Sequence, residues 1–221
     1  MDYKTRQIHE RELVKRSRTQ LKVGSISTSE TELKDILKAW IAVSVAFAIV
    51  LSGSLLSSNF YIKFIIASLT VGIGFLFHEL GHKIVAQRYG CFAEFRSFDN
   101  MLILAIAMSF FGFIFAAPGA VMISGRVNNI KSGRISAAGP IINLVLALLF
   151  LVLIFMQLPK PFQEMAYYGF LINSWLALFN MIPFWLFDGQ KILKWNKLVY
   201  GSIVAVAFAF MLIQNFVTLP H

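Results

Sequence analysis

The chain sorts its apolar residues into long blocks. They run from Ala39 to about Leu56, from Phe60 to about Gln87, and over 101–117, 136–157, 165–187 and 198–217. Short polar or helix-breaking stretches part them: Ser57-Ser58-Asn59, Tyr89-Gly90, Pro118-Gly119 with a polar loop to Arg134, and Pro161. Blocks of about 17–25 residues match the helical length that crosses a bilayer core of about 30 Å. Ser29-Glu30-Thr31-Glu32 fits a capping box, so a helix is expected to begin there and lead into the first block. Gly90 suits a C-terminal cap for the second block. Pro183 interrupts the fifth.

Composition decides what surrounds these helices. Of the 221 residues 57% are hydrophobic and 14% charged, and the mean hydropathy is +0.70. Too little polar sequence remains to cover six apolar helices in water, so the fold class expected is an all-α polytopic membrane protein with five to six transmembrane helices. Nine of the 20 basic residues lie in the first 38 positions. Such a tail can bind nucleic acid, but the cytoplasmic flank of a membrane helix is its commoner cause, and no nucleic-acid partner is expected. Residues 1–37 therefore read as a basic cytoplasmic tail, and 38–221 as a domain embedded in the cell membrane. The first apolar block starts too late for a cleavable signal and reads as an uncleaved span. A single cysteine, Cys91, excludes an intramolecular disulfide and any multi-cysteine metal site. Trp40, Trp175, Trp185 and Trp195, mostly near span ends, read as interface anchors.

The second block ends in FLFHELGHKIVAQ. His78 and His82 are four apart, hence on one helix face, where both can reach one ion with Glu79 beside them. H-E-x-x-H is a zinc-peptidase signature, in which zinc brings the pKa of its water to about 7 and the glutamate is the base. The bland alternative is a pair of histidines bonded to neighbouring helices, although ionisable groups in spans are costly and functional by default. A catalytic zinc needs a third protein ligand. Of the acidic residues within the apolar blocks or at their ends, Asp188 is the one left to complete the set, placed just past Pro183 in NMIPFWLFDGQ.

HELGH on one span, with Asn180-x-x-Pro183-x-x-x-x-Asp188-Gly189 on a later one, resembles the site-2 protease family of intramembrane zinc metallopeptidases. Ala138-Gly139-Pro140-x-x-Asn143 looks like that family's central helix. The resemblance covers about 60–193, a three-helix catalytic core. It implies one Zn2+ per chain on His78, His82 and Asp188, with Glu79 as base. It also implies substrates that are transmembrane helices, and a substrate contact by Asn180, with Asn143 placed beside it. A zinc peptidase of the prenyl-protein-processing kind takes a glutamate as third ligand in another motif. A non-proteolytic zinc protein, a transporter or degenerate scaffold, stays open as the alternative, though it gives Glu79 no evident role.

Ligands of one ion share one depth. The histidines and Asp188 both lie at the C-terminal ends of their blocks, so those spans run the same way and only one block between them crosses. The segment 101–124 is therefore expected to be re-entrant. With the N-terminus inside and five spans, segments 1–38, 83–100, 118–135 and 189–197 hold 9, 3, 3 and 3 basic residues, against Lys63 and Lys160 outside. The positive-inside rule favours that arrangement. Fifteen residues from Lys63 to His78 rise about 22 Å, which puts the metal about 8 Å from the cytoplasmic face. PGAVMISG, 118–125, reads as a short strand or loop edge, with Gly119 and Val121 as candidate contacts for an unwound substrate added as a strand.

Overall fold

A computed structural model describes residues 20–23, 26–114, 118–156, 158–184 and 187–217. Most of the basic tail, with His9, and also Trp185 and His221, lie outside the described residues. Helix α1 (Glu30–Ser52) begins where the capping signal places it, with Ser29 Oγ accepting from the Glu32 N–H at 3.2 Å. It ends at Gly53, whose φ of 74° is left-handed. Helix α2 runs from Phe60 to Arg88, 29 residues, with a π turn at Ser68–Gly72. The Trp40 indole donates to the Ser68 carbonyl in that turn at 3.1 Å. Trp40 thus ties α1 to α2.

Among the described residues the fold is mostly helical but not all-α. Strands β1 (Gln20–Val23) and β2 (Ile26–Ser29) pair antiparallel. So do β3 (Phe92–Ser97) and β4 (Gly119–Ser124), in register from Phe92↔Ser124 to Ser97↔Gly119. The all-α expectation is corrected on this point: alternating small and apolar residues between Pro118 and Gly125 pair as a strand. Between β3 and β4 lies helix α3 (Asp99–Ser109), 11 residues or about 16 Å of helix. The expected 101–117 block therefore ends its helix at Ser109 and turns over Gly112 at φ 83°. The paired strands bring the chain back to the place it left.

Helix α4 (Asn129–Phe155) contains Pro140, and α5 (Lys160–Asn180) packs along it. Pro183 cannot extend α5, which stops at Asn180. Asp188 therefore does not close a span, as the sequence suggested, but opens a separate eight-residue helix, α6 (Asp188–Trp195). Helix α7 (Lys197–Ile213) and a 3-10 turn to Phe216 follow.

Among the described residues four helices, α1, α2, α4 and α7 with its 3-10 turn, are long and apolar enough to cross a membrane, and they mark a membrane protein. Helix α5 is not among them; Lys160, Gln163 and Glu164 lie within its first five residues, and Glu164 pairs with Lys63 of α2. One buried apolar cluster joins α1, α2, β3 and α3 through Val43, Val71, Phe75, Phe95 and Leu102. Another joins α4 and α5 through Ala147 and Phe170. Helix α4 touches α2, α5 and α6 and so forms the wall on which the site is built.

Candidate metal centre

Four-residue spacing on α2 turns His78 and His82 to one side, and the edge of α6 brings Asp188 to meet them. The two Nε2 atoms are 3.0 Å apart. Asp188 Oδ2 is 3.4 Å from His78 Nε2 and 3.1 Å from His82 Nε2. All three side chains are buried. Zinc holding ligands at about 2.0–2.1 Å in tetrahedral geometry needs ligand–ligand edges of about 3.3 Å. The triangle therefore fits zinc in both chemistry and size. Among the described residues no other three His, Cys, Asp or Glu side chains converge in this way. Gly139 of α4 makes room for it, since a Cβ there would lie 2.6 Å from His78 Nε2 and from His82 Cε1.

Over 192 residues the chain is 37% identical to "Putative zinc metalloprotease MJ0611" of Methanocaldococcus jannaschii, covering 85% of this chain and 96% of that one. The chain belongs to this zinc metalloprotease family. "Zinc metalloprotease MJ0392" of the same organism is 26% identical over 152 residues, 68% of this chain and 39% of that protein. "Putative zinc metalloprotease sll0528" of Synechocystis is 33% identical over 120 residues, 53% and 27% of the two chains. No protein-family model and no solved structure matches.

In this zinc metalloprotease each imidazole has a partner at its far nitrogen. His82 Nδ1 lies 2.8 Å from the Ile135 carbonyl, and His78 Nδ1 lies 2.6 Å from Asn143 Oδ1. With the proton on Nδ1 donated to these oxygens, both Nε2 lone pairs face Asp188, as a metal requires. This corrects the place expected for Asn143 against a substrate. Asn143 is fully buried, and its amide nitrogen donates to the Gly74 carbonyl and to Asn173 Oδ1. It has no donor left to offer. Asn180 is half-buried at the end of α5, with its amide donating to the Leu176 carbonyl at 2.8 Å.

Glu79 lies outside the triangle. Its carboxylate accepts the Val121 N–H at 3.1 Å, so the residue beside the ligands touches β4. A small cavity lined by Leu76, Glu79, Leu80, Lys83 and Val121 lies there. Gly119 is buried where β4 crosses Phe95. Sequence reasoning missed the Ile135 carbonyl, because a backbone oxygen leaves no trace in residue types. It also missed the ion pair of Lys83 with Glu32 at 2.6 Å, both buried. Lys83 follows His82 directly, which was the available signal.

Proposed function

We propose that this metalloprotease is an intramembrane zinc endopeptidase of the site-2 protease type. Its substrates are the transmembrane helices of other proteins in the cell membrane, cut near the cytoplasmic face. The carrying observation is the buried triangle of His78, His82 and Asp188: its two histidines lie on α2, a helix of membrane length, and Glu79, next to His78 on that helix, reaches the edge of β4. His78, His82 and Asp188 would hold one zinc, which would supply Lewis acidity toward a water and a peptide carbonyl. Glu79 takes the proton of the attacking water and passes it to the leaving amine nitrogen. His78 and His82 are held in the ligating tautomer by Asn143 and Ile135. A helical substrate has its carbonyls hydrogen-bonded and must unwind to be cut. Strand β4 offers the extended chain an edge beside Glu79, and Asn180 remains the candidate side-chain contact.

The test uses purified protein in detergent, a helical membrane substrate and metal analysis. Wild type is expected to carry one zinc and to cleave. Glu79→Gln is expected to keep the zinc while kcat falls about 10²–10⁴-fold. Asp188→Ala is expected to lose the zinc. Cleavage by Glu79→Gln at the wild-type rate would remove the base from the mechanism. Wild-type protein that holds zinc yet cuts no helical substrate would favour the non-proteolytic zinc-binding reading.

A further inference from the structure

We infer that Asn173 is a positioning residue for the metal centre, acting on His78 through Asn143. The inference rests on the zinc reading above. Asn173 lies on α5, and neither the sequence motif nor the ligand triangle includes it. It is fully buried, as is Asn143. Its amide nitrogen donates to the Gly169 carbonyl one turn back on α5 at 2.9 Å. That bond turns Oδ1 toward α4, where it accepts from Asn143 Nδ2 at 3.0 Å. The second Asn143 N–H goes to the Gly74 carbonyl of α2 at 3.2 Å. Asn143 Oδ1 is then left to face His78 Nδ1 at 2.6 Å.

Each bond in this relay fixes the sense of the next. An amide has a donor end and an acceptor end, and a buried one must match both. Were Asn143 to flip, its oxygen would face the Gly74 carbonyl and Asn173 Oδ1, two acceptors. Its nitrogen would then face His78 and require a lone pair on Nδ1, which moves the imidazole proton to Nε2, the atom that points at Asp188. The relay excludes that arrangement, so α5 sets the tautomer of a ligand on α2 through a residue of α4. Gly74 belongs to the same construction. A Cβ there would lie 2.4 Å from Asn173 Oδ1, so only glycine lets the two helices approach this closely.

A packing role and a positioning role predict different results. Zinc affinity is read by chelator competition on purified protein, and thermal unfolding is read on the metal-free protein. Asn173→Leu keeps the branched four-atom side chain and removes the acceptor. Its metal-free form is expected to unfold within a few degrees of wild type, while zinc affinity falls about 10–100-fold. Asn173→Asp, whose buried carboxyl in its neutral form donates to the Gly169 carbonyl and keeps an acceptor toward Asn143, is expected to bind zinc within about threefold of wild type. Asn173→Ser, which can bond only its own helix, decides the matter if the leucine variant does not fold, and is expected to behave as that variant should. Wild-type zinc affinity in the leucine or serine variant overturns the inference, as does an aspartate variant that loses as much as leucine. If the wild type itself binds no zinc, or Asp188→Ala binds as tightly as wild type, the metal reading fails and takes this inference with it.

Discussion

The carboxylate of Glu32 accepts from Thr28 Oγ1 at 2.8 Å, Lys83 Nζ at 2.6 Å and the Phe95 N–H at 2.9 Å, and none of it reaches solvent. In a capping box that side chain would return to the N–H of Ser29. Here only half the box forms: Ser29 caps the helix, and Glu32 is diverted to Lys83 of α2 and to β3. Removing one partner of a buried ion pair leaves an uncompensated charge and costs about 3–5 kcal/mol. Glu32→Ala is therefore expected to lower stability by that amount, seen as a lowered unfolding temperature in detergent. The double variant Glu32→Leu with Lys83→Met is expected to recover most of it, short of the cost of the orphaned Phe95 N–H. A single variant as stable as wild type would show that the pair does not hold α2 to β3. The sequence made the cap legible because Ser29 and Glu32 are three residues apart. It could not show the diversion, whose partners lie 51 and 63 residues downstream.

At the scale of elements, β3 and β4 form a two-stranded ribbon gripped on both outer edges. Phe95 and Val121 pair directly across it. The Phe95 N–H goes outward to Glu32 and the Val121 N–H outward to Glu79. Backbone groups alternate in direction along a strand, so the Ile123 N–H also faces the outer edge of β4. Strand addition by a substrate needs such groups. Ile123→Pro removes that donor without touching the Glu79 contact at Val121. Cleavage is expected to fall at least about tenfold, the equivalent of one hydrogen bond of about 1.4 kcal/mol, with zinc content and unfolding temperature unchanged. Cleavage at the wild-type rate would leave β4 as no more than the return leg of the α3 excursion. The strand character of 118–125 was readable from its alternation. Its partner was not, since Phe92–Ser97 follows a helix cap and carries no pattern that separates it from loop. The end of α5 was misread for a related reason: block length measures apolarity, and the apolar sequence continues past Asn180 although Pro183 ends the helix.

For the whole molecule, the metal triangle constrains topology. The C-terminal part of α2 and the start of α6 meet at 3.1 Å between His82 and Asp188. The chain between them contains α3, α4 and α5. If α4 and α5 cross and α3 turns back, the two ends return to one face, and the segments before α4 and after α6 share that face. If α3 also crossed, Ser58 and Arg126 would lie on one side together. Cysteine labelling separates the cases, on a Cys91→Ser background since that thiol is buried and free. Five spans predict that Arg126→Cys and Lys197→Cys react from one face of sealed vesicles, and Ser58→Cys and Pro159→Cys from the other. The first pair is expected inside, because 18 of the 20 basic residues fall in segments on that side. Joint labelling of positions 58 and 126 would mean that α3 spans. An 11-residue helix, about 16 Å long, cannot cross a core of about 30 Å. That outcome would also carry the Asp188 end of the chain to the face opposite His82 and break the triangle that defines the site. The labelling pattern therefore tests the fold and the metal centre together, and one cannot be rescued without the other.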